Sequence, residues 1–247
     1  MQMDVANELL SKLENGLIVS CQALEGEPLH SSFIMAKMAK AAEMGGAVAI
    51  RANGYDDIMA IKKEVNLPVI GLVKKKYEGY VPYITPTIEE VEQVVKAGAE
   101  IVAVDATKSI KPGGFTTEAF LKEIKRKYPY ILVMADISTY EEGVKAAEIG
   151  FDLVSTTLSG YTEYSQHGDD PDFELVERLA KAIKVPLIAE GRIWEPRQAL
   201  EALEKGAYAV VVGTAITRPQ EITKRFVEFI KKNKGVNKTC KNKTASF

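Results

Sequence analysis

Short apolar runs of strand length, each closed by one polar residue, alternate along this chain with longer segments in which apolar positions recur every three to four residues. Four of the runs are LIVSCQ, PVIGLVK, YILVMAD and PLIAEGR, whose polar stops are Gln22, Lys74, Asp136 and Glu190. Four more follow a glycine that ends a helical pattern, in EMGGAVAIR, KAGAEIVAVD, EIGFDLVSTT and EKGAYAVVVG. Their glycines, Gly45, Gly98, Gly150 and Gly206, are spaced by 53, 52 and 56 residues, about the length of two β-α units each. Helix-like segments follow the runs at 31–44, 55–65, 87–97, 116–127, 139–149, 172–183, 195–205 and 219–231. Thr87 with Glu90 predicts a capping box, and Gly98 and Gly150 predict helix stops.

Strands rich in Val, Ile and Ala on both faces belong in a parallel sheet covered by helices, and eight β-α units close most naturally into a barrel. A doubly wound open sheet is the rival, but it would want a GxGxxG turn after its first strand, and LIVSCQALEGEP has none. The expected architecture is therefore α/β, a (β/α)8 TIM barrel in a single domain over 1–231. It opens on a short amphipathic helix in MQMDVANELLSKLENG and is followed by a disordered basic tail over 232–247.

A chain of 247 residues with 46% hydrophobic composition fills one large core without a second domain. A net charge of -2 and an isoelectric point near 5.9 give no basic field for nucleic acid, although six lysines and no acid lie from Lys231 onward. The acidic start does not read as a signal peptide, and no segment approaches the roughly 18 apolar residues of a membrane span. Cys21 and Cys240 fall in a strand and in the tail, which argues against a framework disulfide and for a reducing cytoplasm. The sequons at Asn237 and Asn242 would matter only in a secreted protein.

In a barrel the strand-closing residues line one mouth: Gln22, Arg51, Lys74, Asp105, Asp136, Thr156 or Thr157, Glu190 and Gly213. Strands three and seven stand opposite in a ring of eight, so Lys74 and Glu190 face each other across the axis. Such a pair suits removal of a proton from one face of a carbon next to a carbonyl and its return to the other face; a plain ion pair is the alternative. Gly191 and Gly213, with Arg218 or Arg192, form a candidate phosphate site, unless the glycines serve only close helix-to-strand packing. The loops 75–86 and 158–171, rich in Tyr and Gly, are candidate lids. Metal chemistry is disfavoured, because the two histidines, His30 and His167, close no strand.

The motifs SCQALEGEPLHSSFIMAKMA, GGAVAIRANG, PVIGLVK, VPYITPT, VAVDATK, MADIST, GFDLVSTTLSGYT, AEGRI and VVGTAITRP resemble, in order, the N-acetylmannosamine-6-phosphate 2-epimerase family. The resemblance implies an isomerase of sialic acid catabolism that converts N-acetylmannosamine 6-phosphate to its glucosamine epimer. It implies a reaction that opens the sugar ring, removes the C2 proton and replaces it on the other face, with no metal or organic cofactor. It also implies Lys74 and Glu190 as the acid/base pair, Gln22, Arg51 and Asp136 as sugar-binding groups, and Arg218 as the phosphate contact beside the Gly191 and Gly213 loops. The implied partner is a small sugar phosphate, neither nucleic acid nor membrane, and a homodimer is the candidate assembly. The first sixteen residues and the basic tail depart from the pattern and leave oligomeric contacts open. Three rival readings fit part of the chain: a Schiff-base aldolase using Lys74, a pentose-phosphate epimerase that would need metal ligands at strand ends, and a barrel that only binds a sugar phosphate.

Overall fold

In the computed structural model, which describes residues 2–234, eight parallel strands close into a barrel in sequence order. They are β1 Leu17–Cys21, β2 Ala49–Asn53, β3 Val69–Leu72, β4 Ile101–Asp105, β5 Leu132–Asp136, β6 Leu153–Ser155, β7 Leu187–Glu190 and β8 Ala209–Val212. An opening helix α1, Gln2–Ser11, precedes them. The connecting helices are α2 Ser32–Met44, α3 Tyr55–Glu64, α4 Ile88–Lys96, α5 Thr117–Lys127, α6 Tyr140–Ile149, α7 Phe173–Ala182 and α8 Pro196–Glu204. After β8 a short helix α9, Thr214–Thr217, leads into α10, Pro219–Asn233. The barrel expectation is met. The tail from 235 on, with Cys240 and both sequons, lies outside the described residues, and α10 runs two residues past the expected boundary at 231.

Alternation along each strand separates two cores. Val19, Cys21, Ile50, Ala52, Val102, Val104, Val133 and Ala135 point outward and pack under the helices. Ile18, Ala49, Ile70, Ile101, Ala103, Met134, Leu153, Ile188, Ala209 and Val211 point inward and fill the barrel. Leu13, fully buried after α1, plugs the end where the strands begin, and Tyr208 Oη donates to Leu10 O at 3.1 Å to hold that plug. At the other end the same inward parity brings up Gln22, Arg51, Lys74, Asp105, Asp136, Thr157, Glu190 and Gly213. A strand of period two thus changes from apolar to polar at one level of the barrel.

One strand differs from its expected end. Arg51 does not close β2; the strand continues through Ala52 and Asn53, which pair with Gly71 and Leu72 of β3. The charge reads as a stop in the sequence, but carboxylates arriving from β5 and β7 neutralise it inside the ring. The Thr87–Glu90 capping box forms at α4, and Gly150 closes α6 in the left-handed conformation at φ 99°. Two further boxes, Thr139 with Glu142 and Glu195 with Gln198, start α6 and α8. No helix among the described residues is long and apolar enough to cross a membrane.

Candidate active site

The polar mouth encloses a cavity of about 470 Å³ whose wall includes Gln22, Arg51, Lys74, Thr157, Glu190, Gly191, Gly213 and Arg218. Lys74 follows β3 and Glu190 ends β7, four strands apart in the ring of eight, so the two enter the cavity from opposite sides. Asn53 Oδ1 accepts from Lys74 N at 2.7 Å, and an antiparallel bridge to Ile84 fixes the same stretch of backbone. Thr156 clamps the end of β7: its Oγ1 accepts from Glu190 N at 3.0 Å and donates to Glu190 O at 2.9 Å. The two threonines that the sequence leaves as alternatives therefore divide the work, Thr156 holding backbone and Thr157 facing the cavity.

Arg51 is the hub of the site. It is 1% exposed, and its guanidinium donates to both oxygens of Asp136, to Thr157 Oγ1 at 3.0 Å and to Glu190 Oε2. Thr157 Oγ1 lies 2.9 Å from both Asp136 Oδ1 and Glu190 Oε2, with one proton to donate between them. Asp136 is fully buried behind Arg51 and is not on the cavity wall, although the resemblance implies a direct sugar contact for it. One guanidinium facing two carboxylates leaves a net negative charge in a low-dielectric pocket.

Burial displaces two titrations toward each other. Burial raises the Glu190 carboxyl above its ordinary range, with Asp136 adding to the rise and Arg51 opposing it. Burial and then Arg51 lower the Lys74 ammonium to about 8, against the attraction of Glu190. Lys74 makes no ion pair with Glu190, and with its titration lowered to about 8 by burial it can both give up and regain a proton close to neutral pH.

The remaining sequence candidates are placed as follows. Gln22 donates from Nε2 to Ser20 Oγ at 2.8 Å, while its buried Oε1 has no partner. Gly213 precedes α9, whose first amides have no intrahelical acceptor, and a Cβ there would stand 3.2 Å from Ser20 Cβ. Gly191 has φ 118° and Arg192 φ 58°, so the chain leaves Glu190 through two left-handed residues. Arg192 also lines the cavity, and its guanidinium fills the space left by Gly160, where a Cβ would come within 1.9 Å of Nη1. Arg218 pairs with Glu27, both side chains about a quarter exposed at 27% and 23%. Asp105 is buried, tied to Thr107 N at 3.0 Å and Thr107 Oγ1 at 2.7 Å, and does not reach the cavity. His30 Nδ1 is 3.0 Å from Ala23 O, and His167 lines a separate cavity of about 350 Å³. Reading strand ends alone misses Ser20, Tyr83, Tyr161, Trp194, Thr214 and Thr217, which also line the site. Tyr83 and Tyr161 belong to the two tyrosine-rich loops, the one signal that pointed to them.

Fold and site together define a (β/α)8-barrel enzyme whose mouth sets a lysine and a carboxylic acid on opposite sides of one small cavity. The family model described as "Putative N-acetylmannosamine-6-phosphate epimerase" matches residues 35–232. The chain belongs to the N-acetylmannosamine-6-phosphate epimerase family. It is 73% identical over 241 residues to a Caldanaerobacter subterraneus subsp. tengcongensis protein named "Putative N-acetylmannosamine-6-phosphate 2-epimerase", covering 98% of this chain and 100% of the relative. A Clostridium perfringens relative of the same name is 53% identical over 223 residues, covering 90% of this chain and all of its own. The solved structure of the N-acetylmannosamine-6-phosphate 2-epimerase from Clostridium perfringens superposes with a TM-score of 0.87 at 52% identity, over 90% of this chain and 96% of that one. A thiamine phosphate pyrophosphorylase from Pyrococcus furiosus, 18% identical with a TM-score of 0.58, shares the fold over 85% of this chain and 89% of its own.

Proposed function

We propose that this protein interconverts N-acetylmannosamine 6-phosphate and N-acetylglucosamine 6-phosphate by moving the proton on C2 from one face to the other. The observation that carries the reading is the pair of displaced titrations on opposite walls: a lysine lowered to about 8 and a carboxyl raised by burial. In the ring form C2 carries no acidic proton. Opening the ring makes C1 an aldehyde, whose carbonyl accepts the electron pair left when one member of the pair takes the C2 proton. The other member then returns a proton to the opposite face, and closure of the ring completes the epimer with no net change in atoms or electrons.

Gln22 and Arg51 contribute polar contacts to the sugar, Gln22 through the acceptor left without a partner. Asp136 acts behind Arg51, holding the guanidinium in place. The phosphate is assigned to Arg218 and the Gly191 and Gly213 loops, where two glycines and a guanidinium line the cavity beside the first amides of α9. The residues themselves supply acid, base and anion contacts, so the proposed route needs no cofactor.

The direct test is a proton NMR time course with N-acetylmannosamine 6-phosphate in deuterated buffer. Deuterium at C2 of both epimers is expected, and a product retaining its C2 proton throughout would sink the proton-transfer reading. Borohydride added with substrate is expected to leave the protein unmodified; a covalent adduct on Lys74 would favour the aldolase. Arg218→Ala is expected to raise KM about 10- to 100-fold with kcat little changed, as loss of one charged hydrogen bond would give. Equal loss in kcat would move Arg218 into the chemical step.

The assembly we assign is a homodimer joined through α10. That helix has no buried residue, and Phe226 and Phe229 are 68% and 70% exposed on it, a surface that water alone covers poorly. Light scattering on the eluting protein is expected to give about twice the 27.1 kDa chain mass, and Phe226→Glu with Phe229→Glu to give one chain mass. A single chain mass for the unaltered protein at micromolar concentration would exclude the dimer. Action in a reducing cytoplasm completes the reading, in keeping with the buried free thiol of Cys21; recovery in a secreted fraction would contradict it.

A further inference from the structure

The loop from β3 to α4 doubles back over the barrel mouth and is pinned along its return. Lys75 N donates to Tyr83 O at 2.9 Å, Thr85 N to Val73 O at 2.8 Å, and Asp105 N to Ile84 O at 2.9 Å. The turn is completed by Thr85, wholly buried at φ 45°, with Oγ1 accepting from Val73 N at 3.1 Å. A β-branched residue in the left-handed region is strained, and it persists only where its surroundings leave no other choice. What this strained return holds over the cavity is Tyr83.

Tyr83 lines the cavity with its ring partly buried, yet its hydroxyl makes no hydrogen bond among the described residues. Two other half-buried phenols are used inside the protein, Tyr77 donating to Glu90 and Tyr208 to Leu10 O, whereas Tyr128 and Tyr140, half-buried and likewise unbonded, lie away from the cavity that Tyr83 lines. A rigidly held donor left unused at the wall of a site is organised in advance for a ligand. Burial and then Asp136 push its titration up to about 12, so it stays a donor across the working pH range.

Position selects which substrate atom it meets. The phosphate region lies at the ends of β7 and β8, and Lys74 and Glu190 span the middle. Tyr83 enters from the segment held between the ends of β3 and β4, where Lys75 N donates to Tyr83 O and Asp105 N to Ile84 O, across the ring from β7 and β8. On the reading above, with the C6 phosphate at the β7 and β8 ends and C2 between the pair, Tyr83 is the unused neutral donor on the wall left for the C2 substituent. We infer that Tyr83 is a specificity-determining residue that donates a hydrogen bond to the carbonyl oxygen of an acylamino group on substrate C2, favouring N-acylated hexosamine phosphates over hydroxyl analogues. The inference rests on the epimerase reading above.

Tyr83→Phe removes the hydroxyl and keeps the ring. Calorimetric titration with N-acetylglucosamine 6-phosphate and with glucose 6-phosphate is expected to show about a 10-fold or greater weakening of the acylated ligand, with the hydroxyl analogue within about twofold. Equal weakening of both, or an unchanged acylated ligand, would overturn the assignment. An unfolded fraction lowers the stoichiometry but leaves the ratio of the two dissociation constants intact, so the ratio is readable even in a poorly folding variant. Absence of C2 exchange in the unaltered protein would sink the epimerase reading itself, whereas exchange with an unchanged affinity ratio in Tyr83→Phe sinks only the role of Tyr83.

Discussion

Lys74→Ala and Glu190→Gln are each expected to lower kcat for epimerisation by about 10³-fold or more, with KM changed far less, because each removes one of two proton-transfer groups. The two losses differ in what survives. With two groups working on opposite faces, the remaining one still reaches the C2 proton of the epimer it faces. Each variant should therefore retain some exchange of deuterium into one epimer while conversion between epimers fails. Steady-state assay of conversion, beside NMR of the recovered substrate, separates the two effects. Glu190→Gln turning over within tenfold of the unaltered protein would remove that carboxyl from the chemistry.

The pH profile follows from the same pair. The working states, neutral lysine with protonated acid and ammonium with carboxylate, hold the same single proton, so activity belongs to the singly protonated pair. Below the carboxyl's raised titration both groups are protonated and no base remains. Above about 8, where Lys74 loses its proton, no acid remains. A bell-shaped kcat/KM is expected with its alkaline limb near 8, a limb that an ordinary surface lysine would not produce at that pH.

The barrel was legible because its signal is redundant: four glycine-led runs at nearly equal spacing, each between helices, leave few other ways to bury both faces of a strand. The cavity-facing residues were legible for a related reason. Period two forces Lys74, Glu190 and Gly213 to the same end and the same side as the apolar residues two positions before them, and Gln22 to that of Ile18 four before it. What the sequence does not carry is contact between residues far apart in it. Arg51 and Asp136 are 85 positions apart, and only the closed ring shows that one is the other's support. Tyr83 was hidden differently, since its position depends on a left-handed turn at Thr85, a residue type that rarely adopts one. Arg192 reads as a candidate phosphate contact, but its threading against Gly160, whose missing side chain makes the room, is a contact between residues 32 positions apart that the sequence does not carry.

Arg51→Met carries the largest expected change in stability, a loss of about 3–5 kcal/mol, as found when one member of a buried charge pair is removed and its partners stay. The guanidinium is 1% exposed and Asp136 is fully buried, so water cannot replace the lost contacts, and Thr157 has only one proton to offer two carboxylates. The loss should depend on pH. Arg51 is the main group lowering the Glu190 titration, so its removal pushes an already raised carboxyl further up. A carboxyl raised in the folded state adds stability below its unfolded value and loses it as pH rises through its folded one. The deficit of Arg51→Met is therefore greatest near neutral pH and shrinks in acid, as Glu190 takes up a proton in the folded barrel. Urea denaturation of both proteins across that range measures it, and a deficit that is flat with pH, or under about 1 kcal/mol at pH 7, would mean that water enters and solvates the carboxylates once the arginine is gone. Adding Asp136→Asn and Glu190→Gln to Arg51→Met should recover much of the stability without activity, because the buried charges that oppose folding would then be absent together with the group that moves the proton.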